Sequence, residues 1–398
     1  MYEFDCIKYL KYILLSNITI HFEYFKHIKR CPYSERVWLA LEVKNIPYNE
    51  IRIENSGYGR RPSYFSGQTP QIRWPGGLVQ GESMDLVRSL DEKYPDDGLN
   101  LYPTDIKDEV EEKIREFRNI FPKGARPSSR AAYLFRFDGE PLWKDEFERV
   151  LKDTDALLGV NADDGPFFCG SRFTAADIAW CPFLERYAAQ LPCLHDGLNP
   201  YDTKSYPHLV TWYDAMNELI PEYPCRIKGD ASSWRKVLTT AGYGNAGSVP
   251  STVLKRMQEG SLRDISIPLS TDEEKLHQSI WDTYAASRPW VSNNPAMEAA
   301  SIVTRNREAI IMDFSKRKNS NGNIEIEKGL PVVGDELDTC MRAIVCLLCK
   351  DNFGEDIMKE CSDVSGVREL TLFLDERMCV PRDMGSLSAQ SMKKLFFN

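Results

Sequence analysis

The chain has 398 residues and a formal net charge of −9, with 42% hydrophobic and 27% charged residues. This length predicts two or three folding units, and the composition is that of a globular protein and excludes a wholly disordered one. The acidic balance without a concentrated basic face predicts no nucleic-acid partner, and the lack of an apolar run of ~18–20 residues predicts no membrane-spanning helix.

The N-terminal segment, residues 1–17, resembles neither a secretory signal nor a transit peptide. Its apolar positions are interrupted by Lys8 and Lys11, and it carries Glu3 and Asp5. The chain has 11 cysteines, an odd number scattered over a long sequence, which is typical of thiols in a reducing compartment. We therefore expect a cytoplasmic protein.

The next segment, residues 18–97, predicts an α/β domain. Alternation over Ile18–Tyr24 predicts a strand, Pro32 suits the first position of a helix that runs to about Lys44, and 47–54 predicts a second strand. This order is a βαβ unit with a parallel sheet. Two short apolar runs on either side of 75–77, Pro-Gly-Gly, then predict a hairpin, and 81–83 begins a helix that ends near Tyr94.

The rest of the chain predicts helices alone. Within a second domain, 98–240, helices are expected to begin at Thr104, Pro141, Thr174 and Pro207. Thr174 and Asp177 have the spacing of a capping box before an apolar run. A C-terminal extension, 241–398, begins with a linker over 242–250 and contains a polar loop at 316–329. Further helices are predicted in the extension at 271–287, 295–315, 335–350, 364–377 and 384–396.

Cys31 is the candidate nucleophile, because it lies where a strand leads into a helix N-terminus. Unpaired backbone N–H groups, the helix dipole and the adjacent Lys29 and Arg30 would all favour a thiolate at this position. A buried, inert cysteine is the alternative. Residue 34 is Ser, so Cys31 has no partner thiol in a C-x-x-C pair, and an external thiol must complete any exchange cycle.

Five motifs follow one another along the chain: CPYSERVWLALEVKNIPY, QTPQIRW, GES, SLDEKYP and GPFFCGSRFTAADIAWCPFLERY. In this order they resemble the cysteine-class glutathione transferases, which include the omega and lambda classes and the plant dehydroascorbate reductases. The resemblance covers roughly residues 18–230. It implies an α/β thioredoxin-like N-terminal domain, an all-α transferase C-terminal domain and a further helical extension. The full length is most similar to the longer transferase-like proteins of plants and algae, for which a plastid location stays open.

The resemblance also implies a site for glutathione as co-substrate, with no metal. Cys31 would form a mixed disulfide with glutathione, and Pro70 would be a cis-proline that turns the Thr69 backbone towards the tripeptide. Glu82 and Ser83 would hold its γ-glutamyl end. The other glutathione-binding residues would lie in the first turn of the helix, and they are Pro32, Tyr33 and Ser34.

The implied function is glutathione-dependent thiol transfer or reduction of a small oxidised or glutathionylated substrate, including dehydroascorbate. Two alternatives stay open: conjugation of glutathione to electrophiles, and a non-catalytic scaffold for protein interactions. A monomer or a homodimer is expected. The segment at Arg60 and Arg61 is shorter than its equivalent in these families, which puts the contact to the glycyl end of glutathione in doubt. Tyr24 and the Cys346-x-x-Cys349 pair are interpreted as packing residues.

Overall fold

The computed structural model describes two compact units. It covers residues 19–24, 31–54, 63–122, 133–243, 248–266, 270–315, 335–350 and 353–396. One unit runs to Tyr223 and resumes over Asp230–Leu262, and the other contains Pro224–Gly229 and the chain from Arg263 onward. The predicted N-terminal segment, 1–17, lies outside the described residues.

The first unit contains a four-stranded sheet in the order β2–β1–β3–β4. Its strands are β1 (Thr19–Tyr24), β2 (Asn49–Glu54), β3 (Gln71–Arg73) and β4 (Val79–Gln80). β1 and β2 are parallel, whereas β3 is antiparallel to both β1 and β4. The predicted βαβ unit and the predicted hairpin are therefore both confirmed.

The helix between β1 and β2 is the most buried element of this domain. α1 (Pro32–Val43) has every residue buried except Tyr33, including the charged Glu35 and Arg36. It packs against α2 (Ser83–Lys93) on one side and against α5 (Ala175–Leu194) on the other. Because both neighbours cover α1, its polar side chains must find partners inside the protein.

Six further helices lie wholly or mainly in the first unit. They are α3 (Lys107–Ile120), α4 (Lys144–Gly159), α5 (Ala175–Leu194), α6 (Pro207–Leu219), α7 (Ala231–Val237) and α8 (Ser251–Ser266). A single π-helical turn follows α7 at Leu238–Gly242. The prediction missed α8, because only its isolated apolar residues mark it as a helix. The helical character predicted for this region is otherwise confirmed.

Two of these helices begin later than the sequence predicts. Thr104 does not cap α3, because the Ile106 N–H donates to Pro103 O at 3.1 Å and closes a turn before the helix. Pro141 does not begin α4, because it forms a short antiparallel bridge with Phe135. In both places, a local turn or bridge occupies residues that the sequence signals assign to a first helical turn.

The capping box of α5 is confirmed and serves more than the helix. The buried Asp177 carboxylate accepts hydrogen bonds from the Thr174 N–H at 2.9 Å, from the Phe168 N–H at 3.2 Å and from Trp212 Nε1 at 2.9 Å. Burial raises the pKa of Asp177 to about 6, although these hydrogen bonds oppose the rise. One carboxylate thus joins the start of α5 to α6 and to the preceding loop.

The second unit is helical throughout its described residues. It begins with the π-helical turn Tyr223–Ile227, most of which belongs to this unit. Its helices are α9 (Thr271–Ala285), α10 (Pro295–Arg305), α11 (Arg307–Ser315), α12 (Asp335–Leu348), α13 (Glu355–Ser362), α14 (Val367–Arg377) and α15 (Ser386–Lys393), and a 3-10 turn follows at Lys394–Phe396. They enclose a separate apolar core that includes Leu337, Ile344 and Leu370.

The predicted helix 295–315 is in fact two helices that meet at Asn306, whose amide side chain donates to Ile302 O at 2.8 Å. The prediction missed α13, which has only eight residues and follows Gly354 at its N-cap. Among the helices that the structure describes, none combines the length and apolar character needed to cross a membrane. The domain boundaries at 97/98 and 240/241 stay predictions.

We predict that Asp177→Ala lowers the free energy of unfolding by about 2–4 kcal/mol. The substitution removes the acceptor for two buried backbone N–H groups and for the buried indole N–H of Trp212. Urea denaturation would measure this loss. Asp108→Ala is the matched control, since Asp108 is an exposed residue in the first turn of α3, and its loss should cost less than about 0.5 kcal/mol. Equal losses in the two variants would contradict this role for Asp177.

Candidate functional site

Cys31 occupies the N-cap position of α1. Its backbone is extended, with φ −65° and ψ 125°, and its carbonyl accepts the first helical hydrogen bond, from the Glu35 N–H at 3.1 Å. Pro32 follows at the first helical position. The side chain is only 5% exposed. The thiol therefore lies beside the first-turn N–H groups of α1, which have no acceptor within the helix itself.

A second helix N-terminus belongs to the same part of the fold. Glu82 is the N-cap residue of α2 and has φ 60° and ψ 110°, a conformation that costs a non-glycine residue of the order of 1–3 kcal/mol. Ser83 follows in the first turn and is buried. Strain at a helix N-terminus is typical of a site where backbone N–H groups are held in place for an anionic ligand.

The cis-proline lies against this second N-terminus. The Thr69–Pro70 peptide bond is cis, as the sequence predicts. A Cβ built on Gly81 would be 3.9 Å from Pro70 O, so the backbone just before Glu82 passes close to the proline. Pro70 is buried and Thr69 half-buried. The predicted residues 69, 70, 82 and 83 thus belong to one connected region at the start of β3 and α2.

Arg36 joins the two helix N-termini and was missed by the sequence interpretation. Its Nε and Nη2 donate to Ala179 O on α5 at 2.9 and 2.6 Å, and its Nη1 donates to Ser83 Oγ at 3.5 Å. Burial lowers the pKa of Arg36 to about 10, and a negative charge on Cys31 would oppose the fall. Arg36 is therefore a cation at neutral pH within electrostatic range of the Cys31 sulfur.

A pair of tyrosines lies at the other side of the first turn. The hydroxyl groups of Tyr33 and Tyr133 are 2.7 Å apart and hydrogen-bonded. Burial, with the Tyr133 hydrogen bond next, raises the pKa of Tyr33 above its usual range, so its hydroxyl stays protonated at neutral pH. Tyr133 has a positive φ of 62°, which is uncommon for a bulky residue. Sequence reasoning did not single out Tyr133, because no motif or capping pattern marks this residue.

Ser34 lies where a C-x-x-C motif would have its second thiol. It lies in the first turn of α1 and is 3% exposed, and its Oγ has no hydrogen-bond partner among the described residues. No second thiol occupies this turn. A buried hydroxyl without a partner is costly, and a bound ligand is one way of satisfying it.

The described cysteines other than Cys31 lie mostly in apolar surroundings. Burial raises the pKa of Cys169 to about 12, and burial together with the neighbouring Cys361 thiol raises that of Cys346 to about 12. Burial also raises the pKa values of Cys181, Cys340 and Cys349. The interpretation of Cys346 and Cys349 as packing residues agrees with their position at the end of α12.

Some predicted residues lie outside the described part of the chain. These are the basic connector that contains Lys29 and Arg30, and the segment with Arg60 and Arg61. The side chain of Tyr24, on β1, is likewise not described. The charge that Lys29 and Arg30 would give to Cys31 therefore stays a prediction, whereas Arg36 supplies a described one.

Comparison with known proteins identifies the family. Models of the glutathione S-transferase N-terminal and C-terminal domains match residues 30–93 and 141–215. Protein IN2-1 homolog B of Oryza sativa subsp. indica is 30% identical over 196 residues, which cover 48% of this chain and 73% of that protein. The chain belongs to the glutathione S-transferase family.

More particularly, the relatives include lambda-type transferases, as the CPYS motif and its sequence context predict. Glutathione S-transferase L1 of Arabidopsis thaliana is 29% identical over 201 residues, which cover 48% of this chain and 76% of that protein. Among solved structures, the dehydroascorbate reductase of Chlamydomonas reinhardtii is 19% identical, with a TM-score of 0.35, and the match covers 61% of this chain and 98% of that one. The thioredoxin-like and all-helical parts predicted from the sequence are the two parts of this family's fold.

Proposed function

We propose that this protein is a glutathione-dependent thiol transferase or reductase that acts through a mixed disulfide on Cys31. The observation that carries the proposal is the Cys31 thiol at the N-cap of α1, with Ser34 in place of a second thiol. A thiolate at such a position is stabilised by the unpaired N–H groups and the helix dipole. The buried Arg36 guanidinium adds a positive charge within range of the sulfur.

The chemistry consists of two thiol–disulfide exchanges. The Cys31 thiolate attacks the glutathionyl sulfur of a mixed disulfide, forms a sulfur–sulfur bond with it and releases the substrate thiolate, which takes up a proton. The thiolate of a second glutathione then attacks the Cys31 adduct, which restores the Cys31 thiolate and releases oxidised glutathione. Ser34 cannot resolve the adduct from within, because a hydroxyl does not exchange with a disulfide.

Glutathione would bind between the N-termini of α1 and α2. The α-carboxylate of its γ-glutamyl group would accept from the backbone N–H groups at Glu82 and Ser83 and from the Ser83 hydroxyl, and the backbone at Thr69 would pair with its cysteinyl part. Family membership supports this arrangement, and so does the contact of Arg36 with Ser83, because it fixes the start of α2 relative to α1. Dehydroascorbate has no disulfide, so its reduction would differ in the first step: the Cys31 thiolate would add to a carbonyl carbon, and a glutathione thiolate would then attack the Cys31 sulfur, which releases ascorbate and leaves the same mixed disulfide.

We predict that oxidised glutathione modifies Cys31 before any other described cysteine. The thiols with raised pKa values are mostly protonated at neutral pH and react slowly, whereas Cys31 lies at a helix N-terminus. Intact mass measurement should show a single early adduct of one glutathione, and peptide mapping should place it on Cys31. Cys31→Ser is the control and should lose both this adduct and all thioltransferase turnover.

An early adduct found chiefly on Cys169 or Cys349, or unchanged turnover in the Cys31→Ser variant, would remove Cys31 from the mechanism. An adduct elsewhere together with no turnover would favour the scaffold alternative, whereas unchanged turnover in Cys31→Ser would show that another group carries the reaction.

We predict that Ser83→Ala weakens glutathione binding by ~1–2 kcal/mol, the usual loss for one hydrogen bond to a charged group. Calorimetric titration would measure the affinity, and the thermal midpoint should stay nearly unchanged. Ser89→Ala is the matched control on the same helix, because its hydroxyl accepts from Gln80 Nε2 at 2.8 Å and lies away from the N-terminus of α2. A Ser83→Ala variant that unfolds early and binds glutathione normally would show a structural role alone.

A further inference from the structure

A buried cluster of charged groups lies where α1 packs against α5, one turn beyond Cys31. Glu35 on α1 forms an ion pair with Arg186 on α5, with Glu35 Oε2 2.8 Å from Arg186 Nη2. Both side chains are almost completely buried, at 0% and 4% exposure. A carboxylate oxygen of Glu35, one of Glu185 and the Cys181 sulfur all lie within 4.8 Å of one another. Two carboxylates thus share one buried space.

The hydrogen bonds of the cluster leave one carboxylate oxygen without a donor. Glu185 Oε2 accepts from the Tyr223 hydroxyl at 2.8 Å, and Glu185 Oε1 accepts from Trp234 Nε1. Glu35 Oε1, by contrast, has no hydrogen-bond partner among the described residues, although it is buried. An ionised oxygen in such surroundings requires a donor nearby.

The charges of Glu35, Glu185 and Arg186 indicate where a donor for this oxygen would come from. Glu35 and Glu185 would together carry two negative charges, and Arg186 is the positive charge that acts on both of them. Burial, and next the charge of Glu35, raise the pKa of Glu185 to about 8. The other titratable groups near Glu185 are Cys181, Tyr201 and Tyr223, and burial keeps all three protonated at neutral pH.

A metal ion fits this cluster less well than a proton does. Both oxygens of Glu185 and one of Glu35 already accept hydrogen bonds, and the Arg186 guanidinium lies in the position from which it would repel a cation. A single proton on Glu185 leaves Glu35 and Arg186 as a neutral pair and gives the cluster a further donor.

We infer that Glu185 holds a proton at neutral pH and shares it with Glu35, so that this proton fastens α1, and with it Cys31, to α5. Glu35 and Glu185 are then positioning residues for the reaction at Cys31. The link to Cys31 chemistry rests on the proposed function, whereas the protonation of Glu185 does not.

A proton held on Glu185 makes the stability of the folded protein depend on pH. Glu185 binds its proton more tightly in the folded protein than in the unfolded chain, where a glutamate titrates near ~4.3. Its contribution to stability is therefore fully present below that pH and is lost as pH rises towards about 8, where the folded protein also releases the proton. Over this range the folding equilibrium constant should fall by about tenfold for each pH unit relative to a protein without the titration.

The test compares the wild-type chain with Glu185→Gln, which is neutral at every pH and keeps a donor and an acceptor. Chemical denaturation from pH 5 to 9 should show the ratio of the wild-type folding constant to that of the variant falling by about tenfold per pH unit up to pH ~8, and then levelling. Glu218→Gln is the matched control, because Glu218 is exposed on α6, and its ratio should stay constant.

Infrared difference spectra give a second measurement, and its main comparison uses the wild-type protein alone. The wild-type protein at pH 7.5 minus the same protein at pH 9.5 should show the carbonyl band of a protonated carboxylic acid on Glu185, because Asp177, with a pKa of about 6, is ionised at both pH values. Glu35→Gln should weaken this band, since it removes the charge of Glu35 and leaves Arg186 to pair with Glu185. A ratio that is constant between pH 5 and 8, or a wild-type spectrum without the band, would overturn the inference. Neither measurement uses glutathione, so the proposed function can fail independently.

Discussion

The Arg36 guanidinium is the interaction on which the arrangement of the site depends. It is buried, it donates twice to a carbonyl on α5, and it reaches the side chain at the start of α2. It also lies 4.8 Å and 5.1 Å from the ring centres of Phe117 and Phe183. A planar group with five donors can serve these partners together, which a lysine ammonium cannot. The positions of the Cys31 helix and the Ser83 helix are thus fixed by one side chain.

Two neighbouring residues of α1, Glu35 and Arg36, carry opposite charges and have different partners. Arg36 lies within electrostatic range of Cys31 and stays cationic at neutral pH, because burial lowers its pKa only to about 10. Glu35 faces α5, where its pairing with Arg186 leaves no second cation for Glu185 among the groups that shift its pKa. The helix that begins at Cys31 is therefore attached to α5 both by the Arg36 guanidinium and by the buried Glu35–Arg186 ion pair.

The sequence was sufficient for the fold of the first domain and for the residues with backbone signatures. Cys31-Pro32, Thr69-Pro70 and Glu82-Ser83 are local patterns, and each occurs in the element predicted for it. Arg36, Glu185 and Tyr133 were not predicted, since their roles depend on partners more than 40 residues away in the chain. Helix starts at Thr104 and Pro141 were wrong for a different reason, because a turn at 103–106 and a short bridge between Phe135 and Pro141 outweighed the local capping signals.

The pH dependence of alkylation at Cys31 tests the central claim most directly. Labelling with iodoacetamide between pH 5 and 10, followed by peptide mapping, would give separate rates for Cys31 and for the half-buried Cys349 in one sample. A catalytic thiolate predicts that the Cys31 rate reaches half its maximum well below ~8.5, the value of a free cysteine, while Cys349 titrates above it. A Cys31 midpoint at or above that of Cys349 would contradict a mechanism that begins with a Cys31 thiolate.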